Sequence, residues 1–465
     1  MRARNSHSAA CRQPARRITR YYREKGFAVA RAYLPAQNVT DGRVTIAIIE
    51  GRIASHKVNN QSRLSDERVN AFLSDVKDGD VVRGADIDRS LLLLMDTAGV
   101  GLSRATLQPG ASPGTTELLV DVQPSAPYSG NVTADNHGSR YTGEYRVSGA
   151  LTLASPLHVG DQLGVSVLTS GQNLNFARLT YQLPVGAKGL RVGAAYFTVR
   201  YKLAREFAAL LAHGTASSTT VYASYPIIRS QYANLNATLS FENKNTVDYV
   251  DSTSTITGKY LKIMSLGLAG NLQDAFGSGG INSAELTFIS GRLSIESPVA
   301  LGIDAASAKT NGSYNKFSWG LSRLQRITDD TQIWLSLAGQ QSGKNLDSSE
   351  KFVLGGPAAV RAYPTGEGSG NEGYRGTMEL RHNVAEHMQG TVFYDFDAVT
   401  VNKTPFAAIA NDKRLAGAGL GLNANWDKAQ FKASLAWRTS GGPPVSIPAS
   451  AVKSTTLLLQ AGLQF

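Results

Sequence analysis

VRAYPTGEGSGNEGY, residues 360–374, decides between two folds. From Gly368 to Gly373 it satisfies G-x-G-x-x-G, the pattern of a turn that holds a dinucleotide pyrophosphate. Such a turn leaves a strand and opens a helix whose amino end faces the phosphates. Here the preceding FVLGGPAAVRAYP ends in a proline, and the following YRGTMELRHN alternates apolar and polar residues as a strand does. With no helix to receive a phosphate, the glycines belong to a loop between strands.

The alternation extends well beyond this loop. EYRVSGALTL, ARLTYQL, FSWGLSRL, TQIWLSLAG, TVFYDFDAV, RLAGAGLGLNANW and QFKASLAW all place apolar residues at every second position. Divided at its turns, the stretch 128–465 holds about sixteen candidate strands, starting near residues 128, 141, 160, 174, 189, 214, 232, 257, 279, 312, 331, 375, 388, 414, 430 and 455. Short connections such as LPVGAKG and RITDDTQ interleave with long ones such as 291–312, 342–374 and 439–455. An even strand number with short turns at one end and long loops at the other is the pattern of an outer-membrane barrel. The polar faces carry Glu144, Arg146, Glu379, Arg381, Asp395 and Asp397, charges that a dry core would not hold unpaired. A water-filled lumen accepts them while the opposite faces meet lipid. On strand 391–399, Phe393, Asp395 and Asp397 share the inner face, and Val392, Tyr394 and Phe396 share the outer one. The last segment, TTLLLQAGLQF, puts Leu457, Leu459, Ala461, Leu463 and Phe465 on one face.

The first part of the chain reads differently. Residues 1–15 show no pattern and are expected to be unstructured; Arg16–Lys25 suggests a short helix, followed by two strands, the second carrying Val44, Ile46 and Ile48 in alternation. From residue 53 to 123 the order is strand, helix, helix, strand, strand, a compact α+β module. Ser65 is placed to cap SDERVNAFLSDV, whose Val69, Phe72, Leu73 and Val76 form a helical stripe. The next helix offers Ile87, Leu91, Leu94 and Met95. Residues 124–127 read as a linker.

Composition narrows the function classes. Charged residues make up 18 % of the 465, with Gly 46 and Cys 1, so neither a disulfide framework nor a thiolate metal cage is available. The formal net charge of +11 is scattered, without a basic helix or base-stacking motif, and nucleic acid is not an expected partner. His382 and His387 lack the spacing of a zinc site, no G-x-S-x-G elbow occurs, and Asp395 with Asp397 has no neighbouring nucleophile. An enzyme, a metal and a cofactor are therefore not expected. The start, MRARNSHSAACRQPARR, lacks the apolar stretch of a secretory signal.

These features together resemble the Omp85 superfamily, and within it the two-partner secretion transporters (TpsB; the ShlB/FhaC/HecB, or hemolysin secretion/activation, group). The resemblance rests on the strand-helix-helix-strand-strand module, which that family calls POTRA, on the sixteen strands and on VRAY-P-x-GEGSG before the twelfth. It implies a mainly β fold: a 16-stranded antiparallel transmembrane barrel (128–465) behind a partial first POTRA domain (16–52) and a second one (53–123). It also implies that loop 342–374 folds into the lumen, carrying Val360, Arg361, Ala362, Tyr363, Gly366, Gly368 and Gly370. The family motif is VRGY-type, and Ala362 stands at its glycine; F-x-D-x-G on the next strand but one is matched by Phe393 and Asp395, with Asp397 at its glycine. Arg361 should pair with Asp395 in wet surroundings. Leu463 and Phe465 resemble the carboxy-terminal signal read by the barrel assembly machinery.

By the same resemblance, the protein exports an unfolded TpsA-type exoprotein, a hemolysin or adhesin, through the outer membrane without ATP, with POTRA in the periplasm and lipid around a monomeric barrel. An Omp85-type assembly insertase is the alternative. The family's signal peptide, plug helix and complete first POTRA domain are not found at the front. A chain starting at Met1 is thus expected not to reach the outer membrane unaided, whether through a misassigned start, a truncated gene or a partial sequence.

Overall fold

The computed structural model describes residues 3–37, 43–171, 173–408 and 410–465. Helix α1 (Ala3–Glu24) begins well before Arg16, so the described residues 3–15, expected to be unstructured, are helical. Ala9, Ala10, Arg12 and Gln13 are good helix formers. Their polar, arginine-rich company gave no apolar stripe to read. Strand β1 (Arg31–Tyr33) docks on this helix, the Ala32 N–H donating to Thr19 Oγ1 at 2.9 Å. It pairs antiparallel with β2 (Ala47–Ile49), a shorter strand than the alternation from Val44 suggested.

The second module contains β3 (Arg52–Asn60), α2 (Asp66–Phe72), α3 (Gly84–Met95), β4 (Val100–Pro109) and β5 (Thr115–Pro124). Its sheet order is β3-β5-β4, with β3 parallel and β4 antiparallel to β5. The Ser65 hydroxyl accepts the Arg68 N–H at 3.3 Å, capping α2 as its sequence requires. Val69, Phe72, Leu73, Val76, Ile87 and Leu94 pack with Leu118, Val120 and Val122 in one core; Met95, expected on the same stripe, is exposed.

Sixteen strands then close into an antiparallel barrel. They are β6 (Tyr128–Asp135), β7 (Arg146–Ala154), β8 (Gln162–Thr169), β9 (Leu174–Val185), β10 (Leu190–Lys202), β11 (Ala212–Arg229), β12 (Ala233–Val250), β13 (Thr255–Asp274), β14 (Gly280–Ile295), β15 (Gly312–Arg326) and β16 (Thr331–Ser342). After two short loop strands, β17 (Phe352–Leu354) and β18 (Gly368–Gly370), come β19 (Glu372–Ala385), β20 (Met388–Thr400), β21 (Asp412–Trp426), β22 (Ala429–Ser440) and β23 (Thr455–Gln464). A short helix, α4 (Pro298–Ala306), lies in the loop after β14. β23 meets β6 from Gln460↔Asp135 to Gln464↔Asn131, which closes the ring. The strand expected from about residue 141 begins at Arg146, because Gly143 at φ +110° turns the chain and Gly138 N–H bonds Glu144 O at 2.9 Å.

The module sits against one end of the barrel through polar contacts to its short turns. Asp96, at the end of α3, takes a two-pronged contact from Arg229 at 2.7 and 2.8 Å, and its carbonyl accepts Arg191 at 2.6 Å. Arg68 reaches Val159 O at 3.0 Å and Arg89 reaches Pro226 O at 3.0 Å. The strand alternation sorts the wall in the expected way: Met378, Leu380, Val392, Tyr394 and Leu420 are exposed on the outside, while Phe393, Asp395 and Asp397 are buried inside. No helix among the described residues is long and apolar enough to cross a membrane.

Candidate functional site

The loop between β16 and β19 leaves the end of the barrel away from the module and folds into the lumen. It has three parts: a root at 343–351, a stem in which β17 pairs with β18 and which Gly355 tops, and a tip at 356–367. Gly366 turns the tip at φ +80°, a left-handed conformation in which a side chain is strained. Gly370 lies so close to β20 that a Cβ would stand 2.5 Å from Thr400 O. Gly368 pairs with Leu354 in the stem. These glycines serve a tight fold-back.

At the tip, Arg361 reaches the inner faces of β19 and β20. Its Nε and Nη2 donate to the two oxygens of Asp395, each at 2.8 Å, and its own N–H adds a third contact at 3.2 Å. Thr377 Oγ1 donates to Asp395 Oδ1 at 3.0 Å. Arg361 Nη1 also pairs with Glu379 at 2.8 Å, and Arg381 holds the other oxygen of that carboxylate at 2.6 Å. The guanidinium carbon lies 3.4 Å from the centre of the Phe393 ring.

The surroundings are not wet, as the sequence reading supposed. Asp395 is 1 % exposed, and Val360, Ala362 and Tyr363 of the tip are buried. With Leu354, Phe393, Val399, Leu415 and Ala436 they make an apolar cluster inside the barrel beside the ion pairs. Burying each large side chain contributes roughly 1.5–3 kcal/mol, so the loop is held by packing as well as by charge.

Both departures from the VRGY and F-x-D-x-G patterns have partners. The Ala362 methyl faces Gly417 of β21, whose missing side chain leaves the room; a Cβ there would lie 2.6 Å from that of Ala362. Asp397 Oδ2 accepts the Gly355 N–H at 3.1 Å, adding a tie at the top of the stem. Ala362 is thus accommodated at the tip by Gly417, and Asp397 makes one hydrogen bond to the stem.

Three further sets of contacts were not anticipated from sequence. Glu379 shares Arg361 with Asp395. At the root, Glu350 pairs with Lys244 of β12 at 2.8 Å and Lys316 of β15 at 2.9 Å, while Asp347 pairs with Lys259 of β13 at 2.7 Å. Burial pushes the Glu350 and Asp347 carboxyls up, but the lysines and hydrogen bonds outweigh it and hold both below the ordinary carboxylate range. Buried Asn371 closes the root, accepting the Leu346 N–H at 2.7 Å and donating to Val401 O at 2.9 Å. At the end of the tip, Glu367 pairs with Lys413 at 2.7 Å. A glutamate among glycines and a lysine on an alternating strand gave no sign of meeting.

At the end of the chain, Leu463 and Phe465 are exposed on the outer face, and the Phe465 N–H and C=O exchange hydrogen bonds with Gly130 at 2.9 and 2.8 Å.

Residues 114–424 match the family model for haemolysin secretion/activation protein ShlB/FhaC/HecB, and residues 4–51 match that of the ShlB-type POTRA domain. The heme/hemopexin transporter protein HuxB of Haemophilus influenzae (strain 86-028NP) is 25 % identical over 421 residues, covering 88 % of this chain and 74 % of its own. The outer membrane transporter CdiB of Dickeya dadantii (strain 3937) is 26 % identical over 381 residues, 78 % of this chain and 64 % of that one. Among solved structures, CdiB from Escherichia coli superposes with a TM-score of 0.76 at 20 % identity, covering 97 % of this chain and 83 % of its own, a likeness of fold. A closed sixteen-strand barrel, a POTRA region and a family match over most of the barrel lead to one assignment: the chain belongs to the ShlB/FhaC/HecB family, outer-membrane transporters of the two-partner secretion type and not enzymes.

Proposed function

We propose that this transporter recognises one large, unfolded exoprotein of the TpsA type through its POTRA region on the periplasmic side. It then passes the chain through the lumen as the inward loop yields. Recognition uses strand addition to a sheet edge, in which backbone hydrogen bonds supply affinity and side-chain pockets supply selectivity. No nucleotide is consumed; folding of the cargo outside the cell gives transport its direction. The barrel acts as a monomer in lipid, and Leu463 and Phe465 serve as its signal to the assembly machinery.

The observation that carries the gating role is Arg361. It is the group through which a loop inside the lumen grips Asp395 and Glu379 on the wall. A charge-assisted contact of this kind contributes about 1.5–3 kcal/mol, and the apolar cluster adds to it. A strand of polypeptide that offers its own hydrogen bonds and apolar side chains can compete for both. Arg361→Ala and Asp395→Ala are each expected to reduce secretion of the partner while leaving a heat-modifiable barrel in the outer membrane. Normal secretion by both variants sinks the gate.

A further inference from the structure

We propose that Glu367 is a positioning residue that joins the inward loop to the loop 441–454 between β22 and β23, so that the two lift as one lid. The inference rests on the gating role of the inward loop and extends it to the far end of the barrel.

Glu367 is 3 % exposed, although it lies in a connecting loop. Its carboxylate accepts from Lys413 Nζ at 2.7 Å, from the Val445 N–H at 2.9 Å and from the Ser446 hydroxyl at 2.6 Å. The Ser446 N–H adds a fourth donor at 3.3 Å. Burial alone would push this carboxyl up; the donors outweigh it and keep it below its ordinary range, in the charged form that accepts all four. Tyr363, two residues beyond Arg361, binds the same loop from below: its hydroxyl lies 2.8 Å from Ser440 O and from Gly442 O. Thr456, just past the loop, donates to Ala362 O at 3.1 Å. Tip residues on either side of Gly366 thus hold both ends of the segment 440–446, and Pro444 is buried there.

The place of this joint gives it a consequence. A cavity of about 1340 Å³ lies beside the tip, bounded by Tyr363 and Gly366 of the inward loop, Pro444 and Lys453 of the far-end loop, and residues of β22, β23, β6 and β7. Loop 441–454 forms part of its outer boundary. Lys413 is fixed on β21, whereas Val445 and Ser446 are outside any strand. When the tip withdraws, the bond to Lys413 must break, but Val445 and Ser446 can travel with Glu367. Two backbone N–H groups and a hydroxyl on one carboxylate make the more persistent grip. The cavity then opens outward at the same moment that the tip leaves the lumen.

The test places a nitroxide at Val445→Cys in a Cys11→Ser background of the full chain, reconstituted in bilayers. Val445 is 78 % exposed, so the label disturbs no packing. The unaltered joint is expected to give a restricted spectrum. Glu367→Ala and Arg361→Ala are each expected to lose the restricted component, and Glu367→Asp to restore it. Asp395→Asn serves in place of Arg361→Ala should that barrel not be heat-modifiable. A spectrum unchanged by Glu367→Ala overturns the joint. A spectrum changed by Glu367→Ala but by neither Arg361→Ala nor Asp395→Asn overturns the coupling, leaving Glu367 as a local pin. No exoprotein is needed for this readout, so it is independent of whether Arg361→Ala impairs secretion.

Discussion

The two ends of the inward loop are fixed by opposite charge arrangements. At the tip the loop supplies the cation, Arg361, and the wall supplies Asp395 and Glu379 from the adjacent strands β20 and β19. At the root the loop supplies the anions, Asp347 and Glu350, and the wall supplies Lys244, Lys259 and Lys316 from β12, β13 and β15. Releasing the tip takes one arginine off two neighbouring carboxylates and parts one further pair, Glu367 from Lys413. Releasing the root requires three lysines on three strands to lose their partners. The tip is therefore the end that moves and the root the end that stays. A withdrawn tip also uncovers an acidic patch on the lumen wall, while the basic patch remains covered.

The largest effect should come from removing the shared cation. Arg361→Met keeps most of the side-chain length yet leaves Asp395 and Glu379 facing each other with Arg381 and Thr377 as their remaining donors. Breaking a buried pair costs about 3–5 kcal/mol. Hydrogen exchange at the Tyr363 amide is expected to accelerate strongly while the Leu346 amide, at the root, keeps its protection. Equal acceleration at both would show that the loop moves as one body. Gly417→Ala comes next, since the new methyl would meet that of Ala362 at 2.6 Å. Overpacking costs about 1–3 kcal/mol, and it too should raise exchange at the tip alone.

The root responds more weakly because each lysine has a long stem that can swing its ammonium toward lumen water. Glu350→Gln is expected to cost about 1.5–3 kcal/mol, the scale of a lost charged hydrogen bond, and to raise exchange at Leu346 before Tyr363. Because Glu350 and Asp347 are held below their ordinary range, their contribution is present at neutral pH and is lost as the pH falls through those lowered values. Root protection should accordingly fade in acid in the unaltered protein and show a smaller acid loss in Glu350→Gln. An unchanged acid response would assign the effect to other carboxylates.

Local pattern made the strands legible. Two-residue alternation marks each one, and it separated Asp395 from Tyr394 without any contact being known. The VRAY motif carried Arg361 the same way, through resemblance. What alternation does not carry is which inward charges meet. Lys244 and Glu350 are 106 positions apart, and Lys413 and Glu367 are 46 apart. Their encounter depends on the register of several strands and on the depth to which the loop descends. Nor was α1 visible before Arg16, since an arginine- and serine-rich helix has no apolar face to announce it.

The smallest effect, and the sharpest on the question of the two departures, belongs to Asp397→Gly. This restores glycine at the last position of the F-x-D-x-G pattern and removes the carboxylate that accepts the Gly355 N–H. Arg375 loses a neighbour as well, but its Nε stands 3.8 Å from Asp397, too far for a hydrogen bond, and its Nη1 remains on Ala358 O at 3.1 Å. The net loss is one hydrogen bond to a charged acceptor, offset by relief of a buried carboxylate with an unpartnered oxygen. A change within about 1 kcal/mol follows, visible as faster exchange at Gly355 with Tyr363 unaffected. Stem and tip would then be separable, with Asp397 holding the stem and Arg361 the tip. Acceleration at Tyr363 equal to that of Arg361→Met would instead make Asp397 part of the tip's grip and erase the distinction between them.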